Sequence, residues 1–206
     1  MNKNNALMNI SKISDNIYLS GIFPMEQDPN IIGNLGIKYI LCCVDKEYVS
    51  DIHSKVIMNN PAVTILYLPY NDDTAQNLWK TNTGLAKMTS YTSSNATFDK
   101  LSQQLNMYQN KPLIEVGYHF MDLAVGQNDK VLVHCMAGVS RSVSLVTYYF
   151  MKKMYMPYDT ATKMVKTHRP IASPNDSFKQ QLKQYEVLRE KFTESDARKI
   201  ILSRDT

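Results

Sequence analysis

The chain has 206 residues, 44% of them hydrophobic and 20% charged, with a formal net charge of +4. That suffices for one sizeable core, not two, of ordinary soluble globular composition. No apolar run approaches the roughly 20 residues that cross a bilayer, so no membrane partner is expected. The charge is too mild for a nucleic-acid binder but suits anionic, phosphorylated substrates. Three cysteines, two of them adjacent (Cys42, Cys43, Cys135), form no disulfide framework and fit a reducing compartment. Behind Met1 there is no apolar core of a signal peptide, so a cytoplasmic location is expected. The four histidines are scattered and show no metal-ligand spacing with the cysteines.

Residues 1–12 are polar and expected to be flexible. A first short strand is predicted over Ile17 to Ser20, and Pro24 to Gly36 carries Ile31, Ile32 and Leu35 at helical spacing. Ile37 to Val44 reads as a buried strand. A polar connector over 45–61 leads to another strand, Val63 to Leu68, which Pro69 stops. Residues 79–111 form a polar insertion rich in Thr, Ser, Asn and Gln. Its run Thr89 to Thr97 reads as flexible, and Leu101, Leu105 and Tyr108 could give it a short helix. The triplet Asn95-Ala-Thr matches a glycosylation acceptor only by chance in a cytoplasmic chain. Ile114, Tyr118, Met121 and Val125 mark a helix that Gly126 closes. After a strand at Val131 come an apolar helix over 143–154, a helix capped by Asp159 and ended by Pro170, and a last helix from near Asn175. Phe178, Leu182, Tyr185 and Leu188 share one face of that last helix. Residues 191–206 extend it or fray. Strands mixed with helices indicate an α/β domain.

One stretch concentrates chemistry: Val131 to Val133, then His134, Cys135, compact residues, Arg141 and Ser142. A lone cysteine sits where a strand ends and a helix begins. Backbone N–H groups converge there into an anion site, and the same dipoles favour a thiolate. Arg141 can offer two oxygens of a phosphate a planar fork. A buried inert thiol is the alternative reading of Cys135, but it requires Gly138 and Arg141 to fall at their places by accident.

The run His134-Cys135-Met-Ala-Gly-Val-Ser-Arg141-Ser142 matches the H-C-x5-R-S/T loop of cysteine-based protein phosphatases and is similar to the dual-specificity members, including the small viral ones. The resemblance extends over about residues 13–188. Ile17 to Gly21 looks like the family's first strand and Gly36 to Leu41 like its second. Leu68 to Thr74 looks like its acid loop, and His168 to Phe178 with Gln181 to Glu186 like its C-terminal segment. It implies one α/β domain over residues 13–190, a central mixed, mostly parallel sheet flanked by helices. It also implies hydrolysis of phosphotyrosine and phosphoserine/phosphothreonine in proteins, without cofactor or metal, in the host cytoplasm if the chain is viral. Oligomeric state stays open between monomer and homodimer.

In that resemblance Cys135 is the nucleophile. Met136, Ala137, Gly138, Val139, Ser140 and Arg141 cradle the phosphate, Ser142 assists the departing sulfur, and His134 supports the loop; a histidine that merely fills space is the competing reading of His134. Asp72 matches the family acid by its spacing from Pro69, with Asp73 in reserve, since two carboxylates in a turn are commonly plain loop residues. Asn175 braces the loop or caps a helix. Cys43 falls where a lipid-phosphatase cousin carries a backdoor cysteine, which implies a reversible disulfide with Cys135; a buried strand cysteine is the competing reading. Val139 stands where lipid phosphatases of the superfamily carry lysine, and Met136-Ala-Gly departs from the relatives that act on RNA 5′ ends. Non-catalytic phosphoprotein-binding relatives lose the cysteine or the arginine, and both are present here.

Overall fold

The computed structural model describes residues 6–91 and 96–202, with the backbone alone described at 96, 97, 100, 104 and 192–202. Residues 1–5, Asn95 of the Asn-Ala-Thr triplet and residues 203–206 lie outside the described residues. In chain order the strands are β1 (Ser11–Lys12), β2 (Ile17–Ser20), β3 (Ile37–Cys42), β4 (Thr64–Tyr67), β5 (Lys87–Ser90) and β6 (Lys130–His134). The helices are α1 (Phe23–Gln27), α2 (Ile31–Asn34), α3 (Ser50–Asn59), α4 (Ala96–Met107), α5 (Leu113–Gly126), α6 (Arg141–Lys153), α7 (Tyr158–His168) and α8 (Asp176–Leu202).

The six strands form one sheet in the order β1-β2-β6-β3-β4-β5. The inner four, β2, β6, β3 and β4, run parallel, and β1 and β5 close the edges antiparallel. This is the mixed, mostly parallel sheet that the family resemblance implies. The central strands are apolar almost throughout because both faces are covered. Leu41 faces Gly117 of α5, together with Leu145 of α6. The next residue, Cys42, points to the opposite face, where it meets His53 of α3. Of α6, every residue from Ser142 to Met151 is buried, so this helix is the centre of one layer. Glu115 of α5 takes Tyr148 and Lys152, and Asp122 takes Lys153, which ties the end of α6 to its neighbour.

Several local expectations change. The helix predicted over 24–36 is two short ones, because Pro29 disfavours a helical Asp28, whose φ of −141° and ψ of 96° are extended. The polar connector over 45–61 contains a 3-10 turn (Lys46–Tyr48) and α3. Its buried stripe is His53, Val56 and Ile57, and a histidine inside the stripe hid the period. Asp159 does not cap α7: Pro157 holds the N-cap position and the Asp159 carboxylate meets Lys183 Nζ at 3.1 Å. Within 79–111, Lys87–Ser90 pairs with β4 as an edge strand, and Leu101 and Leu105 of α4 pack toward Leu66 and Phe120. The sheet edge supplies a partner that a polar composition does not announce.

Candidate active site

The loop Cys135–Ser140 leaves the C-terminal end of β6 and enters α6, the place where open parallel sheets hold ligands. Its conformation follows from where its carbonyl groups go. The Cys135 oxygen lies 3.2 Å from His134 Nδ1. Met136 O accepts from Ile22 N at 2.9 Å, Val139 O from Ser173 N at 2.8 Å and Ser140 O from Ser144 N at 2.9 Å. Ala137 O and Gly138 O accept from Arg169 Nη2 and Nε at 3.1 and 2.6 Å. Each carbonyl from Cys135 to Ser140 is thus bonded outside the loop. In a trans peptide the N–H points opposite to the preceding C=O. The N–H groups of Met136 to Arg141 therefore turn toward one centre, a nest for an anion. Gly138 permits the curl: its φ is +66°, and a Cβ there would sit 2.3 Å from the Ser20 carbonyl carbon.

Cys135 sits in that centre, 1% exposed. Its sulfur accepts from Gly138 N at 3.2 Å and lies 3.3 Å from Ser142 Oγ. Arg141, at the start of α6, donates from Nη1 to Tyr70 O at 3.2 Å. Its Nε is buried without a hydrogen-bond partner among the described residues and stands 3.6 Å from Asp72 Oδ2. The acid loop reaches the same centre from the end of β4. Asp72 Oδ1 accepts from Ser140 Oγ at 2.7 Å and from Asn175 Nδ2 at 3.0 Å, while among the described residues Oδ2 makes only the longer approach to Arg141. Asp73 turns away and accepts from Ala75 N at 2.9 Å within its own turn. Asn175 does two jobs: its N–H donates to Ser140 Oγ at 3.1 Å, and its Oδ1 accepts from Phe178 N at 2.9 Å to cap α8. Gln181 of α8 holds the acid loop through Leu78 N and Gln76 O at 2.8 and 2.9 Å.

Cys43 follows the last paired residues, Cys42 and His134, as Cys135 does on its own strand. Burial, and then the nearby Cys135 and Cys42 sulfurs, push the Cys43 thiol well up. Three residues of this site carried no signal as such in the sequence. Arg169 is 1% exposed and spends its guanidinium on the loop carbonyls, Asn9 O and Ser11 Oγ. Burial lowers it only to about 10, so it remains charged. His53 and Tyr67 lie behind the loop: His53 Nε2 is 3.1 Å from His134 Nε2, and His53 Nδ1 is 3.1 Å from the Tyr67 hydroxyl. Two of the histidines that look scattered in the sequence are therefore in contact.

The match to the family model "Dual specificity phosphatase, catalytic domain" covers residues 17–187. A protein of Acanthamoeba polyphaga mimivirus that bears the name of a tyrosine-protein phosphatase, R622, is 53% identical over 97% of this chain and 94% of its own length. Dual specificity protein phosphatase 1 of Arabidopsis thaliana is 43% identical over 43% of this chain and 42% of its own. Among solved structures, human DUSP28 superposes with a TM-score of 0.60 at 21% identity, covering 88% of this chain and 95% of that one, a likeness of fold.

Arg169→Met should destabilise the protein by about 3 kcal/mol, since the Ala137 and Gly138 carbonyls lose a charged donor. It should also weaken vanadate binding, as read by urea unfolding and by inhibition. Burial, joined for His53 by the neighbouring imidazole, lowers His134 to about 4 and His53 to about 2. Below pH 6.5 the unfolded chain binds protons there that the folded chain does not. Stability should be flat above pH 7 and fall by on the order of 3 kcal/mol toward pH 5. Urea midpoints across that range check this, and His53→Leu should flatten the slope.

Proposed function

The chain belongs to the dual specificity phosphatase family, and we propose that it hydrolyses phosphotyrosine and phosphoserine/phosphothreonine in proteins through a phosphocysteine on Cys135. The observation that carries this reading is the nest: outward carbonyls from Cys135 to Ser140 surround a sulfur that already accepts from Gly138 N. The Cys135 thiolate attacks phosphorus, the P–O bond to the side-chain oxygen breaks, and Asp72 gives that oxygen a proton. The inward N–H groups of Met136 to Arg141 and the Arg141 guanidinium hold the equatorial oxygens as charge spreads over them. Water then attacks phosphorus, Asp72 takes its proton, and the P–S bond breaks with Ser142 Oγ donating toward the departing sulfur. His134 and Asn175 hold the loop. Asp72 rather than Asp73 is the acid because its carboxylate faces the loop while Asp73 faces its own turn.

Phosphorylated proteins are the substrates. Val139 puts no cation where an inositol phosphate would need one, which favours phosphoproteins over phosphoinositides. The catalytic unit runs over residues 13–190, with 79–111 as an insertion and 191–202 as the C-terminal continuation within α8. Free buried cysteines suit the cytoplasm, in a host cell if the chain is viral, and among the described residues no helix is long and apolar enough to cross a membrane. Cys43 acts as a redox partner. A peroxide oxidises the Cys135 thiolate to a sulfenic acid and is itself reduced. The Cys43 thiol then attacks that sulfur, water leaves, and a disulfide remains.

Phosphotyrosine and phosphothreonine peptides should both be hydrolysed by the wild type and not by Cys135→Ser. Asp72→Asn should lower kcat by about a hundredfold. A wild type inert on both peptides while hydrolysing a phosphoinositide would sink the protein-substrate reading. For Cys43, mass spectrometry after peroxide should show a Cys43–Cys135 linked peptide that dithiothreitol removes. Only sulfinic and sulfonic forms of Cys135 would exclude it.

A further inference from the structure

Behind the nest the pinning of the loop continues into a buried chain of rings. His134 of β6, His53 of α3 and Tyr67 of β4 are each at most 1% exposed. The Tyr67 hydroxyl meets His53 Nδ1, His53 Nε2 meets His134 Nε2, and His134 Nδ1 meets the Cys135 carbonyl, at 3.1, 3.1 and 3.2 Å. The two imidazoles cross edge to face at 87°.

One end of this chain fixes every proton in it. A carbonyl oxygen can only accept, so His134 carries its proton on Nδ1. Burial keeps both imidazoles neutral at physiological pH, and a neutral imidazole holds a single proton. His134 Nε2 is then an acceptor, and the proton between the rings belongs to His53 Nε2. His53 Nδ1 is left to accept, and the Tyr67 phenol, kept protonated by burial, donates to it. The nearby Cys42 thiol donates to Val44 O at 3.5 Å, and the Arg141 charge further disfavours an imidazolium at His134.

We propose that His53 is a positioning residue for the phosphatase reaction: its Nε2–H locks His134 in the Nδ1–H tautomer, which holds the Cys135 carbonyl outward and the Met136 N–H inward. This rests on the phosphatase reading of the same loop. Without a donor at His53, His134 can move its proton to Nε2. Its Nδ1 lone pair then faces the Cys135 oxygen, the two repel, and the peptide is free to rotate out of the nest. Cys42, His53 and His134 also bring three ligand atoms within 4.8 Å of one another. A divalent cation there would take the place of the His53 Nε2 proton, so cation and proton lock exclude each other.

Long-range proton–nitrogen NMR of the wild-type protein at pH 7 should find His134 protonated on Nδ1 and His53 on Nε2. In phosphotyrosine peptide assays His53→Leu should lose about tenfold in kcat/KM. His53→Gln should retain most of it, because a carboxamide can donate to His134 and accept from Tyr67. A histidine that only fills space would be replaced by leucine at least as well as by glutamine. The proposal is overturned by His134 protonated on Nε2, by equal activity of the two variants, or by stoichiometric zinc that stays bound through chelator treatment. If neither variant folds, the wild-type NMR decides. A wild type inert on phosphopeptides, with the tautomers as assigned, would count against the phosphatase reading and leave the lock standing.

Discussion

The site depends on one constraint, that six successive carbonyls cannot stay where the peptide planes would otherwise let them point. A free loop of Met-Ala-Gly-Val-Ser would show N–H and C=O groups alternately to its centre, and an anion would be repelled as much as held. Here each oxygen is bonded elsewhere: to Ile22 N, Ser173 N, the Arg169 guanidinium, the first turn of α6, and His134 Nδ1. The N–H groups are left to the centre, where the Cys135 sulfur already takes one of them. Because the donors are fixed before a phosphate arrives, they need not reorganise when charge develops.

Those carbonyl partners come from distant parts of the chain, and the parallel sheet brings them together. The loop at the end of β2 passes so close beneath it that a Cβ on Gly21 would sit 2.6 Å from Met136 O. The segment after α7 supplies Arg169 and Ser173 from the other side. The acid loop follows β4 and is tied to the N-terminus of α8 through Asn175 and Gln181. Asp72 is therefore placed by two loops and a helix start at once, and Ser140 Oγ joins them at 2.7 Å.

The parts of this that are local in sequence were legible. The apolar run at Val131 gave β6, the Cys135–Arg141 spacing gave the loop, and Pro69 gave the end of β4 and so the reach of Asp72. The parts that depend on contacts between remote residues were not. Arg169 reads as one more charge next to Pro170, and only its burial against two carbonyls distinguishes it. His53 looks polar in a polar connector, and it hid α3 for the same reason that it matters. A buried histidine is counted as surface by any reading of apolar period. The short strand β5 was invisible because its side chains are half-exposed and its stability comes from pairing with β4 rather than from its own composition.

Arg141 and Arg169 show how the same side chain serves two opposite ends. Arg169 has its guanidinium committed to main-chain oxygens and Ser11, so it can hold the loop but cannot bind a substrate. Arg141 spends one donor on Tyr70 O and keeps Nε buried 3.6 Å from Asp72 Oδ2, without a hydrogen-bond partner among the described residues. A buried donor without an acceptor costs on the order of 1–3 kcal/mol. In the proposed reaction an incoming phosphate oxygen would remove that cost while making a charge-assisted bond, which a loop already satisfied internally could not offer. Asp72 has the matching asymmetry: Oδ1 is held by two donors, while among the described residues Oδ2 has only the long approach to Arg141. On the proposed reading, the site thus leaves unmet the donor that would meet the phosphate and the carboxylate oxygen that would meet the leaving group, and satisfies the groups that only support them.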